Sequence, residues 1–132
     1  MSQVSDPIAD FLTRVRNSTR AGLASFSLPH SRIKEDIAKI LKSEGFISDF
    51  SVSAEGAKKV LHVLNKFVGR RAVVTDLKRV SRPGLRKYVG CDEIPRVLGG
   101  IGIGILSTSS GVMSSREAKR RNVGGELLAF VW

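Results

Sequence analysis

The sequence predicts an α+β protein built as two small lobes packed together. The first lobe runs helix, strand, helix, strand, strand; the second is mostly antiparallel β with one short helix. Three observations predict this. Two early segments carry apolar residues at helical spacing behind residues that suit helix caps. The later segments alternate apolar and polar residues or cluster β-formers between turn signals. The 132 residues with a hydrophobic fraction of 42% provide one shared core, because two pieces of roughly 60 residues each bury too little surface alone. The boundary falls at residue 66, giving an N-terminal α/β lobe over 1–66 and a C-terminal β-rich lobe over 67–132.

Ser5-Asp6-Pro7 opens the first helix: Asp6 accepts from free amides, and Pro7 stands where its missing N–H costs nothing. Ile8, Phe11, Leu12 and Val15 then recur on one face, and the helix is expected to end near Gly22. Arg14, Arg16 and Arg20 gather toward its negative end. ASFSLP is a short extended piece. Ser31 caps a second helix whose buried stripe is Ile33, Ile37, Ile40 and Leu41, whose other face is charged, and which stops at Gly45. FISDFSVS and KKVLHVLNK, joined by the turn-prone AEGA, complete the lobe as antiparallel strands.

In AVVTDLKRV, Val73, Thr75 and Leu77 alternate with Val74, Asp76 and Lys78, which predicts a half-buried strand. Ser81-Arg82-Pro83-Gly84 is a turn, LRKYV a short strand and GCDEIPRV an irregular link. Residues 101–106 form a third strand of this lobe and VGGELLAFVW a fourth. Between them Ser114 and Glu117 stand at the spacing of a capping box. They start a short helix that brings Lys119, Arg120 and Arg121 within about one turn.

Charge is the strongest global signal. Twenty-two Lys and Arg against 12 Asp and Glu leave +10, a balance that favours a polyanionic partner, nucleic acid before others. The field is uneven: residues 1–66 carry ten basic and seven acidic side chains, and residues 67–132 carry twelve and five. An anion-binding surface is therefore sought in the second lobe. No apolar stretch approaches the roughly 20 residues that span a bilayer, so no membrane partner is expected. The opening MSQVSDPIADFLTRVRN lacks the layout of a signal peptide, and a cytoplasmic location follows. One cysteine, Cys91, forms no internal disulfide, and the carboxylates of Asp92 and Glu93 beside it argue against a nucleophile. His30 and His62 have no metal-binding spacing. Neither a metal nor a cofactor is expected.

The chemistry-bearing candidates sit mostly in the second lobe. Gly99, Gly100, Gly102 and Gly104 lie inside a strand pattern rather than between a strand and a helix, so close backbone approach is favoured over a phosphate loop. Ser107, Thr108, Ser109 and Ser110 form a row of hydroxyls ending on Gly111. The row reads either as a polar turn leading to the Ser114 cap or as a contact surface for phosphates, ribose hydroxyls and base edges, with RNA fitting better than DNA. Tyr88, flanked by Arg86 and Lys87, suits stacking or polar contact with RNA, or else a core position with its hydroxyl at the rim. The tract Lys119, Arg120, Arg121 is either a phosphate contact or a solvated helix face. Glu126, a carboxylate inside an apolar strand, needs partners: backbone amides, a hydroxyl of the Ser107 loop, or an RNA donor.

The segments SRPGLRKYV and GIGILSTSSGVMSSREAKRRNVGGELLAFVW, with the opening DPIADFLTRVRN, resemble the eighth protein of the small ribosomal subunit in its bacterial-type form. The resemblance covers the chain nearly end to end. It implies a structural, non-enzymatic protein that binds a helical segment of the central domain of small-subunit rRNA and supports assembly. It also implies that Ser107, Thr108 and Ser109 form the RNA-contacting loop with Tyr88 and Glu126 nearby, and that Ser31 and Arg32 offer a second contact. Neighbouring small-subunit proteins, and in some bacteria the protein's own operon mRNA, are further implied partners. Position 110 departs from the family pattern: Ser110 stands where a basic or amide residue is common, which removes a phosphate contact and either lowers affinity or is compensated by Arg116. Two rival readings stay open beside this one, a basic module holding an acidic protein partner or a membrane and, third, a hydrolase using the serine loop.

Overall fold

The computed structural model describes residues 6–97 and 100–132; Ser5 and Gly99 lie outside them. Helix α1 spans Pro7–Arg20, with the Asp6 side chain accepting from the Ala9 amide and Pro7 in the first turn. Its buried residues are Ile8, Phe11, Leu12, Val15 and Ser18. Strand β1 (Ser25–Pro29) leads to α2 (Arg32–Ser43), capped by Ser31, whose hydroxyl accepts from the Lys34 amide. Strands β2 (Ile47–Glu55) and β3 (Lys58–Asn65) follow, and the sheet order is β1-β3-β2, all antiparallel. The expected order of the first lobe is found.

Lys34 corrects the charged face assigned to α2. It is 6% exposed, more buried than Ile33, because its ammonium reaches the Asp10 carboxylate at 3.2 Å and the Pro29 carbonyl at 3.1 Å. A buried cation persists only when it is paired in this way. Burial raises the Asp10 carboxyl most strongly of any single influence, but Lys34 and Arg14 together outweigh it and hold the group below its ordinary range.

The second lobe departs further from expectation. After a two-residue pair, β4 (Phe67–Val68) with β5 (Arg71–Ala72), the chain forms β6 over Leu77–Arg79 only. The alternation in AVVTDLKRV does not make one strand. Val74 and Leu77 are both buried, and the amides of Thr75 and Asp76 both donate to the carbonyl of Trp132. The backbone turns there to close on the C-terminal residue. Next come β7 (Tyr88–Val89), a single 3-10 turn (Cys91–Glu93), β8 (Ile103–Thr108), β9 (Gly111–Ser114), α3 (Ser115–Arg121) and β10 (Gly125–Val131). Strand β8 runs through Ser107 and Thr108 rather than stopping at 106, and β9 pairs with it as a hairpin partner that the hydroxyl row concealed. Strand β10 is central: β8 lies on one side with β9 beyond, and β6 and β7 share its other edge, all antiparallel.

Both faces of this sheet are covered. Ile103, Ile105, Leu128, Ala129 and Val131 join Phe11, Ile37, Leu41, Leu61 and Val63 in one core, so the two lobes share a hydrophobic interior. A smaller cluster of Ile94, Leu106, Met113, Ala118 and Leu127 packs α3 on the opposite face. Polar ties reinforce the joint. Arg79 holds Asp6 at 3.2 Å and donates to the Leu128 carbonyl at 2.7 Å, with both side chains of the ion pair mostly buried. Arg16 pairs with Asp76 at 3.0 Å and donates to the Leu77 carbonyl. Asp76 is held below its ordinary pKa first by the Leu77 amide, then against the opposing effect of burial by Arg16 and Arg20.

Candidate nucleic-acid interface

The hydroxyl row is the tip of the β8–β9 hairpin. Thr108 pairs with Gly111, leaving Ser109 and Ser110 as the turn. Gly111, at φ +114°, takes the left-handed step that closes such hairpins. The Thr108 hydroxyl donates to the Gly111 carbonyl at 2.8 Å and accepts from the Ser110 amide at 3.1 Å. It is thus spent on holding the tip. Ser109 and Ser110 are exposed and Ser107 is half-buried; among the described residues no side-chain hydrogen bond engages Ser107 or Ser109. The turn reading is realised, with Thr108 building the turn while Ser109 and Ser110 stand exposed beside it.

Strand register brings three candidates into one line. Glu126 of β10 stands opposite Ser107 on β8 and opposite Tyr88 on β7. Residues directly opposite one another across a sheet point to the same side, so Ser107, Glu126 and Tyr88 form a row. Tyr88 is 71% exposed, which rules out the core position and leaves its ring free. The Glu126 side chain is 12% exposed, and its partners correct the ones expected from sequence. Among the described residues neither backbone amides nor the Ser107 loop supplies them. The fully buried Ser81 hydroxyl donates to one oxygen, and Arg86 reaches both at 3.3 Å.

Two residues behind this row were missed as site residues. Ser81 looked like turn punctuation, yet it also accepts from the Lys87 amide at 3.2 Å and so fixes the segment Arg86-Lys87 that leads into β7, which holds only Tyr88 and Val89 of the strand expected over LRKYV. Gly125 precedes Glu126; a Cβ there would lie 2.2 Å from the Ser107 carbonyl oxygen. Its absence lets β10 close on β8 where the row begins. The paired glycines of GGELL were the signal available. The other glycine cluster follows the same rule at Gly102, whose added Cβ would meet the Val131 carbonyl at 2.6 Å.

The remaining candidates are not gathered here. Ser31 and Arg32 stand at the start of α2, Ser31 engaged as the cap and Arg32 exposed. In α3, Ser114 accepts from the Glu117 amide at 3.2 Å, but the Glu117 carboxylate does not complete the capping box. It pairs instead with Arg120 at 2.5 Å and Arg121 at 2.7 Å, and these two, Arg120 first, lower its pKa to about 2. One carboxylate thus engages two of the three cations, and the tract keeps a net positive charge with Lys119 exposed. Arg116 is also committed, to Glu44 at 3.5 Å and the Gly100 carbonyl at 2.5 Å, so it is not free to replace a basic residue at position 110. His30 bonds Glu35, and His62 bridges Ser27 and Ser53, both in the first lobe and away from the hairpin.

Fold and site together define a class: basic α+β proteins of two lobes around one core, with an exposed hydroxyl-bearing hairpin tip beside a polar row. Comparison with known proteins narrows it. The family model described as Ribosomal protein S8 matches residues 6–132. The chain is 49% identical over 131 residues to the small ribosomal subunit protein uS8 of Lactobacillus delbrueckii subsp. bulgaricus, covering 98% of each chain. It is 51% identical to uS8 of Synechococcus elongatus over 98% of each, and 51% identical to uS8 of Solibacter usitatus over 97% of this chain and 98% of that one. The chain belongs to the ribosomal protein S8 family. It is a structural constituent of the small ribosomal subunit, not an enzyme, and works at the ribosome in the cytoplasm. Among the described residues no helix is long and apolar enough to cross a membrane.

Proposed function

We propose that the protein binds a helical segment of the central domain of small-subunit rRNA directly and stabilises it during subunit assembly. The observation that carries this reading is the row Ser107, Glu126, Tyr88 beside the exposed hairpin tip. Its elements suit the shallow minor groove of A-form RNA, where ribose hydroxyls and base edges are reachable without a penetrating helix. Ser107 and Ser109 offer hydroxyls that donate and accept, Tyr88 a ring for stacking, and Arg86 and Lys87 charge for phosphates. Thr108 keeps the tip in shape and Glu126 orients Arg86. Charge brings the protein to RNA, and hydroxyls discriminate among RNAs.

The C-terminal lobe, residues 67–132, supplies this surface, and the N-terminal lobe, 1–66, adds a second contact through Ser31 and Arg32. Neighbouring small-subunit proteins take other faces, and an operon mRNA that copies the rRNA site would occupy the same row. Footprinting on naked small-subunit rRNA tests the reading. Protection confined to one helical segment of the central domain supports it; diffuse protection that vanishes in competitor RNA contradicts it.

A further inference from the structure

Behind the row, on the other side of the turn that follows β6, lies a groove of about 400 Å³. Its floor is apolar: Val80, Leu127 and Phe130, with Leu85 and Pro95 at the side. Its rim is cationic: Lys78, Arg82 and Lys87 are all exposed, and among the described residues none of the three has a carboxylate partner. Among the described residues no acidic side chain lines it. Phe130 is half-buried and stands opposite Lys78 across the β6–β10 pair, so that the two side chains share one face of the sheet. Leu85 is 64% exposed at a tight turn closed by reciprocal backbone hydrogen bonds with Arg82.

We propose that this groove is a second RNA subsite that takes an unpaired nucleotide, its base against Phe130 and Leu85 and its phosphates on Lys78, Arg82 and Lys87. The inference rests on the RNA-binding reading above. An apolar floor under a ring of unpartnered cations complements a ligand with a flat uncharged body and anionic links, the chemistry of a single-stranded nucleotide. An acidic protein segment with an apolar anchor shares part of that chemistry. Position decides between them. Lys87 borders the groove, and Tyr88, the next residue along the chain, stands in the row. One RNA strand crossing the 82–88 turn therefore meets the row on one side and the groove on the other.

The test uses the full chain, with Leu85 replaced by a photoreactive benzoylphenylalanine, assembled into small subunits and irradiated. An adduct to an unpaired rRNA nucleotide is expected; an adduct to a neighbouring protein, or none, overturns the proposal. In solution, the rRNA fragment protected in footprinting is compared with a version in which every nucleotide is paired. Leu85→Ser should weaken binding to the first by about ten-fold, the scale of one stacked base, and leave the second unchanged; Lys78→Ser, which also removes a general attraction for phosphates, should weaken the first more than the second. Equal loss on both fragments, or no loss, overturns the subsite while leaving the row intact. Failure of the unaltered protein to bind either fragment would instead remove the RNA-binding reading itself.

Discussion

Replacing Gly125 by alanine is expected to push β10 away from β8 at the start of the proposed contact row. The added Cβ would lie 2.2 Å from the Ser107 carbonyl oxygen, 3.0 Å from its carbonyl carbon and 3.1 Å from Thr108 Cα. Close carbon–oxygen contacts settle at about 3.3 Å or more, so the strands must part by about 1 Å. All three obstacles are backbone, and no side-chain rotation relieves them. Overpacking of this kind costs about 1–3 kcal/mol, which corresponds to a fall in Tm of roughly 4–12 °C for a chain of this size. Urea and thermal unfolding read the stability, and filter binding reads the consequence for RNA. Affinity for the protected rRNA fragment should drop at least about ten-fold, by an amount near 1.4 kcal/mol, while weak binding to unrelated RNA, set by charge, is retained. Gly84→Ala is the control: nothing lies within 4 Å of a Cβ there, and its stability should stay within about 0.5 kcal/mol of the unaltered chain. If Gly125→Ala melts and binds as Gly84→Ala does, the close approach of β10 to Ser107 does not shape the site.

Ser81→Ala should cost about 1–3 kcal/mol in urea unfolding, because it strips a partner from the Lys87 amide and from the nearly buried Glu126 carboxylate; Ser110→Ala, at the exposed tip, should be near neutral. Leu41→Ala, at a fully buried position in the core shared by the lobes, should cost about 2–5 kcal/mol and loosen both lobes together in hydrogen exchange. Glu117 should titrate by NMR with a midpoint near 2, well under its ordinary 4.5. A lowered folded-state pKa means that its contribution to stability is complete above about pH 4.5 and fades as the pH falls through 2. Salt should move that midpoint upward, because both ion pairs lie at the surface.

The first lobe was legible because its signals are local. Asp6 and Ser31 cap their helices, and the spacing of Ile8, Phe11, Leu12 and Val15 fixes the buried face of α1. Lys34 was not legible, since what buries its ammonium is Asp10 on another helix and a strand carbonyl. The second lobe is written in longer-range terms. Val73 to Leu77 alternate like a strand, but the amides of Thr75 and Asp76 are claimed by Trp132 at the far end of the chain. Strand β9 is four residues long and begins at the glycine that closes the hydroxyl turn, so periodicity had too little to register. The hydroxyls of residues 107–110 stood out by composition alone. The alignment of Ser107, Glu126 and Tyr88 did not, because it depends on the pairing of three strands drawn from distant parts of the sequence.

The central claim is that hydroxyls at the hairpin discriminate while charge only attracts. It is tested most directly by measuring Ser107→Ala and Ser109→Ala against the protected rRNA fragment and a scrambled RNA of equal length across a salt series. Each variant should lose about 1–3 kcal/mol on the cognate fragment alone, with the slope of affinity against salt unchanged. Equal losses on both RNAs, or a shallower salt slope, would contradict it.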